Sequence, residues 1–182
     1  MLNMLDKQEC VLIIIDVQEK LVNALAKDTV VQKTAALVKA AKIMGIPTIV
    51  TEQYPKGLGQ TMAAVKETFD SNTTIIEKSS FSAAKETGFL EKLNTYNKKQ
   101  VVICGIETHI CVHQATADLL TAGYDVYVAQ DACASRNKYE FKQGIERMRD
   151  NGAKISCVEI ILFEWLRSSK DIHFKEIQAL IK

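Results

Sequence analysis

The sequence predicts an α/β protein, a three-layer αβα and Rossmann-like arrangement with a six-stranded parallel sheet and helices on both faces. Three observations carry that expectation. Apolar, β-branched runs such as Val11-Leu12-Ile13-Ile14-Ile15 show no alternation, the mark of strands buried on both faces. Such runs alternate with helix-periodic segments from one end of the chain to the other, the pattern of repeated β-α units. At 182 residues the chain suits one core, and no repeat, low-complexity tract or linker divides it. Residues 1–182 are therefore read as a single domain.

The first strand is Val11 to Ile15, and Asp16 emerges directly at its carboxyl end. Thr29 to Met44 repeats apolar residues at helical spacing and stops at Gly45. Ile46 to Val50 makes a second strand. Gln53 to Gln60, with Pro55, Gly57 and Gly59, reads as a shaped loop, a lid or a wall. Thr73 to Ile76 is the third strand, closely followed by Lys78, and Phe89 to Tyr96 sits in a helix. Val101 to Cys104 is the fourth strand and Thr108 to Ala122 the helix after it. A fifth strand spans Tyr124 to Ala129, a helix Tyr139 to Asn151, and a short sixth strand Ala153 to Ser156. Helices near Cys157 to Leu166 and Ile172 to Ile181 close the chain.

Composition excludes several classes of partner. A net charge of +1 gives no electrostatic reason to expect nucleic acid or an anionic membrane. No apolar stretch reaches the roughly 18 residues that span a bilayer, and Met1 to Gln8 is too polar for a signal peptide, so a cytoplasmic location is expected. The five cysteines, Cys10, Cys104, Cys111, Cys133 and Cys157, are odd in number and show neither a C-x-x-C pair nor metal-like spacing. Reduced thiols are expected, with no metal and no cofactor.

In open parallel sheets chemistry gathers at the carboxyl ends of the strands. Three capable residues lie just past such ends: Asp16, Lys78 and Cys111. Cys111 sits where a strand hands over to a helix, near unpaired backbone N–H groups and the positive end of the helix dipole. Both favour the thiolate, the nucleophilic form. Each residue alone also has a plain structural role, as turn carboxylate, solvated lysine and small buried hydrophobe. Together they describe a nucleophile held anionic by Lys78, with Asp16 moving protons.

With those residues in place, the chain resembles the isochorismatase-like cysteine hydrolases, and within them the isochorismatase domain-containing proteins. The matching text is Leu12 to Gln18, Lys78 to Ser82, Cys104 to Cys111, Thr51 to Gly59, Asp131 to Arg136 and Phe174 to Gln178. The resemblance implies an Asp16-Lys78-Cys111 triad and a cis peptide between Ile106 and Glu107. It further implies an oxyanion hole made by the backbone N–H groups of Glu107 and Cys111. Hydrolysis of a C–N bond in a small amide, carbamoyl or ureide-like substrate, through an acyl-thioenzyme, is the activity expected. Gln18, Tyr54, Phe81 and Ile110 lie within a few positions of the rim and are candidate pocket residues. A homo-oligomer is expected, with Ile160, Phe163 and Trp165 placed either in an interface or in the core.

Other readings stay open at this stage. His109 and His113, four apart, could be two zinc ligands, although no HExxH surrounds them and no third ligand is spaced to join them. The nicotinamidase branch carries metal-binding histidines after the second strand, where this chain reads Glu52-Gln53-Tyr54-Pro55. Isochorismate hydrolysis cleaves a vinyl ether and fits a nucleophilic Cys111 poorly. A non-catalytic binding or scaffold role is an alternative on the same fold, and a nuclease is a third.

Overall fold

The computed structural model describes residues 4–25 and 28–182, so the start of the Met1–Gln8 stretch lies outside the described residues. The strands are β1 (Cys10–Ile15), β2 (Thr48–Gln53), β3 (Thr73–Lys78), β4 (Gln100–Ile106), β5 (Asp125–Ala134) and β6 (Lys154–Ser156). Helices among the described residues are α1 (Glu19–Leu25), α2 (Asp28–Ile43), α3 (Pro55–Leu58), α4 (Ala63–Lys66), α5 (Phe89–Asn94), α6 (His113–Thr121), α7 (Lys138–Asp150), α8 (Val158–Leu166) and α9 (Phe174–Ala179). A 3-10 turn at Ala83–Lys85 and a π-helical turn at Thr108–Val112 complete them.

All strand pairs are parallel and the order is β3-β2-β1-β4-β5-β6. The chain winds outward from β1 in both directions, so β1 and β4 flank the point where the winding reverses. A crevice opens there, beyond the strand ends. Helices cover both sides, as the continuous apolar runs require: residues 11–15 of β1 have no solvent-exposed surface. At the reversal the two strands come unusually close. Gly105 of β4 pairs with Ile15 of β1 at φ 136, and a Cβ on Gly105 would lie 2.0 Å from the Ile15 carbonyl oxygen. Only glycine fits.

Several boundaries differ from expectation, each for a local reason. β2 begins after Pro47, not at Ile46, and runs on through the polar Thr51-Glu52-Gln53. β5 is ten residues long, because its register shifts opposite Ile103 and Gly105 and pairing resumes at Cys133 and Ala134. The segment expected as one helix from Thr108 starts as a π turn and becomes α-helical only at His113. The loop from Gln53 to Gln60 contains the single turn α3, opened by Pro55 at the position where its missing N–H costs nothing.

Candidate active site

Asp16 follows β1 with φ 51, a left-handed conformation that aspartate tolerates better than most residues. Its side chain is fully buried. Oδ1 accepts a 2.6 Å hydrogen bond from the Thr51 hydroxyl, and Oδ2 lies 2.8 Å from Lys78 Nζ. Lys78 ends β3, two strands away from β1, and its ammonium makes this ion pair. Its ammonium has three protons and three well-directed acceptors: Gln53 Oε1 at 2.6 Å and the carbonyls of Ser80 and Phe81, each at 3.1 Å. The contact to Asp16 is therefore mainly one of charge, and Oδ2 keeps capacity for another donor. Glu86 fixes the loop that supplies those carbonyls, accepting from the N–H groups of Ser79 and Ser80.

Cys111 lies in the π turn and is 8 % exposed. Its side chain contacts the Asp16 carboxylate, feels the Lys78 charge, and takes a hydrogen bond from the Glu107 N–H. The three residues separated by 95 positions of sequence thus meet at one point. The peptide between Ile106 and Glu107 is cis, as the resemblance implied. The N–H groups of Ile110 and Val112 both bond the Glu107 carbonyl and bracket Cys111.

The helix start favours a thiolate, but burial, then the Asp16 charge, push the Cys111 thiol the other way, up to about 12, and Lys78 offsets only part of this. The reason lies in the geometry. Lys78 is already compensated by Asp16, and a neutral pair polarises a neighbouring thiol weakly. Burial also pushes the Asp16 carboxyl above its ordinary value, against the opposing pull of Lys78, Thr51 and Cys111.

The candidate pocket residues divide. Gln18 is fully buried and its amide is committed: Nε2 donates to the carbonyls of Gln53 and Gly59, at 3.0 and 2.7 Å, and Oε1 accepts from the Gln53 N–H at 2.7 Å. It clamps the loop after β2. Tyr54 and Phe81 are exposed aromatics at 62 % and 57 %, and Ile110 is half-buried against the core. Phe81 borders an open cavity of about 490 Å³ also lined by Ser82, Lys85 and His113. His109 Nδ1 pairs with Ser135 Oγ at 2.9 Å, and the described residues contain no group of three or more His, Cys, Asp or Glu able to hold a metal ion.

Sequence reasoning missed Thr51 and Gln53, which hold Asp16 and Lys78. A signal was present: in a strand, residues two apart share a face, and Glu52 between them turns the other way to accept from Thr61.

An isochorismatase domain model matches residues 10–160. The chain belongs to the isochorismatase family. Among its relatives is Isochorismatase domain-containing protein 2 of Xenopus laevis, 36% identical over 178 residues, covering 97% of this chain and 85% of that protein. A solved structure described as MAR1 ribonuclease from Caenorhabditis elegans superimposes with a TM-score of 0.93 at 35% identity, covering 98% of this chain and 92% of the other. YcaC from Pseudomonas aeruginosa, solved with hexane-2,5-diol and covalent acrylamide, gives a TM-score of 0.92 at 25% identity, covering 99% and 92%. Family membership supports a hydrolase-type enzyme. No helix among the described residues is long and apolar enough to cross a membrane.

Proposed function

We propose that this protein is a cysteine-dependent hydrolase that cleaves a C–N bond in a small amide, carbamoyl or ureide-like substrate, with Asp16, Lys78 and Cys111 as its triad. The observation that carries the reading is the buried Asp16–Lys78 pair in contact with a thiol that the Glu107 N–H addresses. Structural ion pairs have no need of a sulfur nucleophile at their edge. The Pseudomonas YcaC structure is described with covalent acrylamide, an electrophile that takes up nucleophilic side chains, and this supports a reactive nucleophile in the present chain.

The chemistry follows from a neutral resting thiol. Cys111 Sγ attacks the substrate carbonyl carbon as its proton passes to Asp16, which is ionised beside Lys78. The carbonyl π electrons move to oxygen, where the N–H groups of Glu107 and Cys111 stabilise the oxyanion; one such donor is typically worth about 2.7–4 kcal/mol of barrier. Collapse breaks the C–N bond, and the departing nitrogen takes the proton from Asp16. Water then attacks the thioester, again giving its proton to Asp16, and the thiol is restored as the acid leaves. Lys78 keeps Asp16 a base in a site where burial opposes its charge. No step calls on a cofactor or a metal.

Assembly as a homo-oligomer is part of the same reading. Trp165 is fully buried in the core, but Ile160 and Phe163, on the same helix, are 52 % and 39 % exposed. A ribonuclease reading has the description of the Caenorhabditis elegans structure behind it; the net charge of +1 gives no electrostatic reason to prefer it. A screen of small amides, carbamoyl compounds and ureides, with an RNA arm, on wild type beside Cys111→Ala separates these readings. Turnover of a C–N substrate that is lost in Cys111→Ala, with folding intact, is expected. Turnover that survives that substitution, or activity confined to RNA, would sink the proposal.

A further inference from the structure

Glu107 is held on every side but one. Its carbonyl accepts from Ile110 and Val112 at 3.1 and 3.2 Å. Its carboxylate, 13 % exposed, is gripped by both arms of Arg136: Nε to Oε1 at 3.0 Å and Nη2 to Oε2 at 2.9 Å. Its remaining polar group, the backbone N–H, lies close enough to Cys111 Sγ to favour the charged sulfur. A second tie runs parallel to the first, since Ser135 Oγ holds His109 Nδ1 at 2.9 Å. Ser135 and Arg136 are the two residues that follow β5, so the end of that strand is riveted twice to the turn bearing the nucleophile. From the other side α7 closes on the same turn. A Cβ on Gly144 would lie 2.9 Å from His109 Cα and 3.0 Å from His109 N.

An exposed ion pair on a flexible loop is worth little. This one is bidentate, and its acceptor is mostly buried. A planar fork fixes direction as well as distance, which a lysine could not do. We infer that Arg136 is a positioning residue, aiming the Glu107 N–H at the oxyanion through the Glu107 carboxylate. The inference rests on the cysteine-hydrolase reading above. It adds a residue that makes no contact with the triad and sits at 59 % side-chain exposure, where it would pass for surface charge.

The test compares two reactions of the same sulfur. Acylation of Cys111 by p-nitrophenyl acetate passes through an oxyanion, whereas alkylation by iodoacetamide, a displacement at saturated carbon, does not. In Arg136→Ala and in Arg136→Lys the acylation rate is expected to fall roughly 10- to 100-fold, as for a misplaced donor. Alkylation is expected to hold within about twofold, because thiol reactivity follows its own environment. Glu107→Gln should match the arginine variants, and the double variant Glu107→Gln/Arg136→Ala should be no slower than either single one. Unchanged acylation in Arg136→Ala, full rescue by Arg136→Lys, or an equal fall in alkylation would each overturn the inference and leave the nucleophile assignment standing. Ester turnover undiminished in Cys111→Ala would overturn that assignment and the inference with it.

Discussion

The ion pair that ends β1 and β3 shows how a handful of short contacts sets chemistry. The Asp16 carboxyl is pulled both ways: burial raises it, while Lys78 and the Thr51 hydroxyl lower it. Activity on the substrate from the screen is therefore expected to fall toward acid with a midpoint above the ordinary value of 3.8. Thr51→Val, which removes the 2.6 Å bond, should move that limb to higher pH, and a pH profile identical to wild type would contradict this. Stability follows a definite sign. A carboxyl whose folded pKa is raised contributes stability in full below its unfolded value and loses it as pH rises through the folded value. Charged Asp16 is thus a cost at neutral pH that Lys78 offsets. Lys78→Met should lower stability by about 3–5 kcal/mol at neutral pH, because a buried charge loses its partner. Urea melts should show that loss shrinking toward acid as Asp16 takes up a proton; an equal loss at both would refute the assignment. Asp16, Lys78 and Cys111 could be singled out as candidates because each lies at or just past the end of a strand-like run. The protonation state was not legible, since it depends on which charge Lys78 answers, and only folding decides that.

At the scale of elements, the switch from β4 into the π turn is what places sulfur, amide and carboxylate together. Wide turns of this kind recur at functional sites. Periodicity from Thr108 onward reads as helix in either case, so the sequence could not distinguish a π turn from an α-helical one. The second half of β5 was hidden for another reason. Gln130-Asp131-Ala132-Cys133-Ala134 is too polar and too small to look like a buried strand, and it pairs only because the register shifts beside Gly105. The polar end of β2 was equally obscure, because Thr51, Glu52 and Gln53 are held by side-chain partners outside the strand, Asp16, Thr61 and Lys78. Gly105→Ala tests the close approach of β4 to β1. A Cβ there would meet backbone, not a yielding side chain, and the φ of 136 disfavours any L residue. A loss of about 3 kcal/mol or more in denaturant unfolding is expected. A variant as stable as wild type would mean that the strands have room to separate.

On the scale of the whole molecule, the order β3-β2-β1-β4-β5-β6 accounts for where the candidate site sits. The parallel, six-stranded architecture was legible throughout, from runs such as residues 11–15 and 101–104; the strand order was not, because unalternating apolar strands carry no record of their neighbours. The exposed apolar residues near the end of the chain belong to this scale also. Ile160 and Phe163 on α8 and Ile172 in the turn before α9 are exposed, with Phe163 packed edge-on against Phe174 at 6.3 Å. Ile160→Glu combined with Phe163→Glu should shift the mass measured by light scattering toward that of one chain, with the far-ultraviolet spectrum unchanged. A mass unaltered by both substitutions would place any interface elsewhere.

The central claim is that Cys111 carries the acyl group between bond cleavage and release. Acid-quenching the enzyme during turnover of its C–N substrate, followed by intact and peptide mass spectrometry, reads this directly. The account predicts an added mass equal to the acyl fragment, located on Cys111 and absent from Cys111→Ala. Steady turnover with no adduct on Cys111, or with the adduct on another residue, would contradict it.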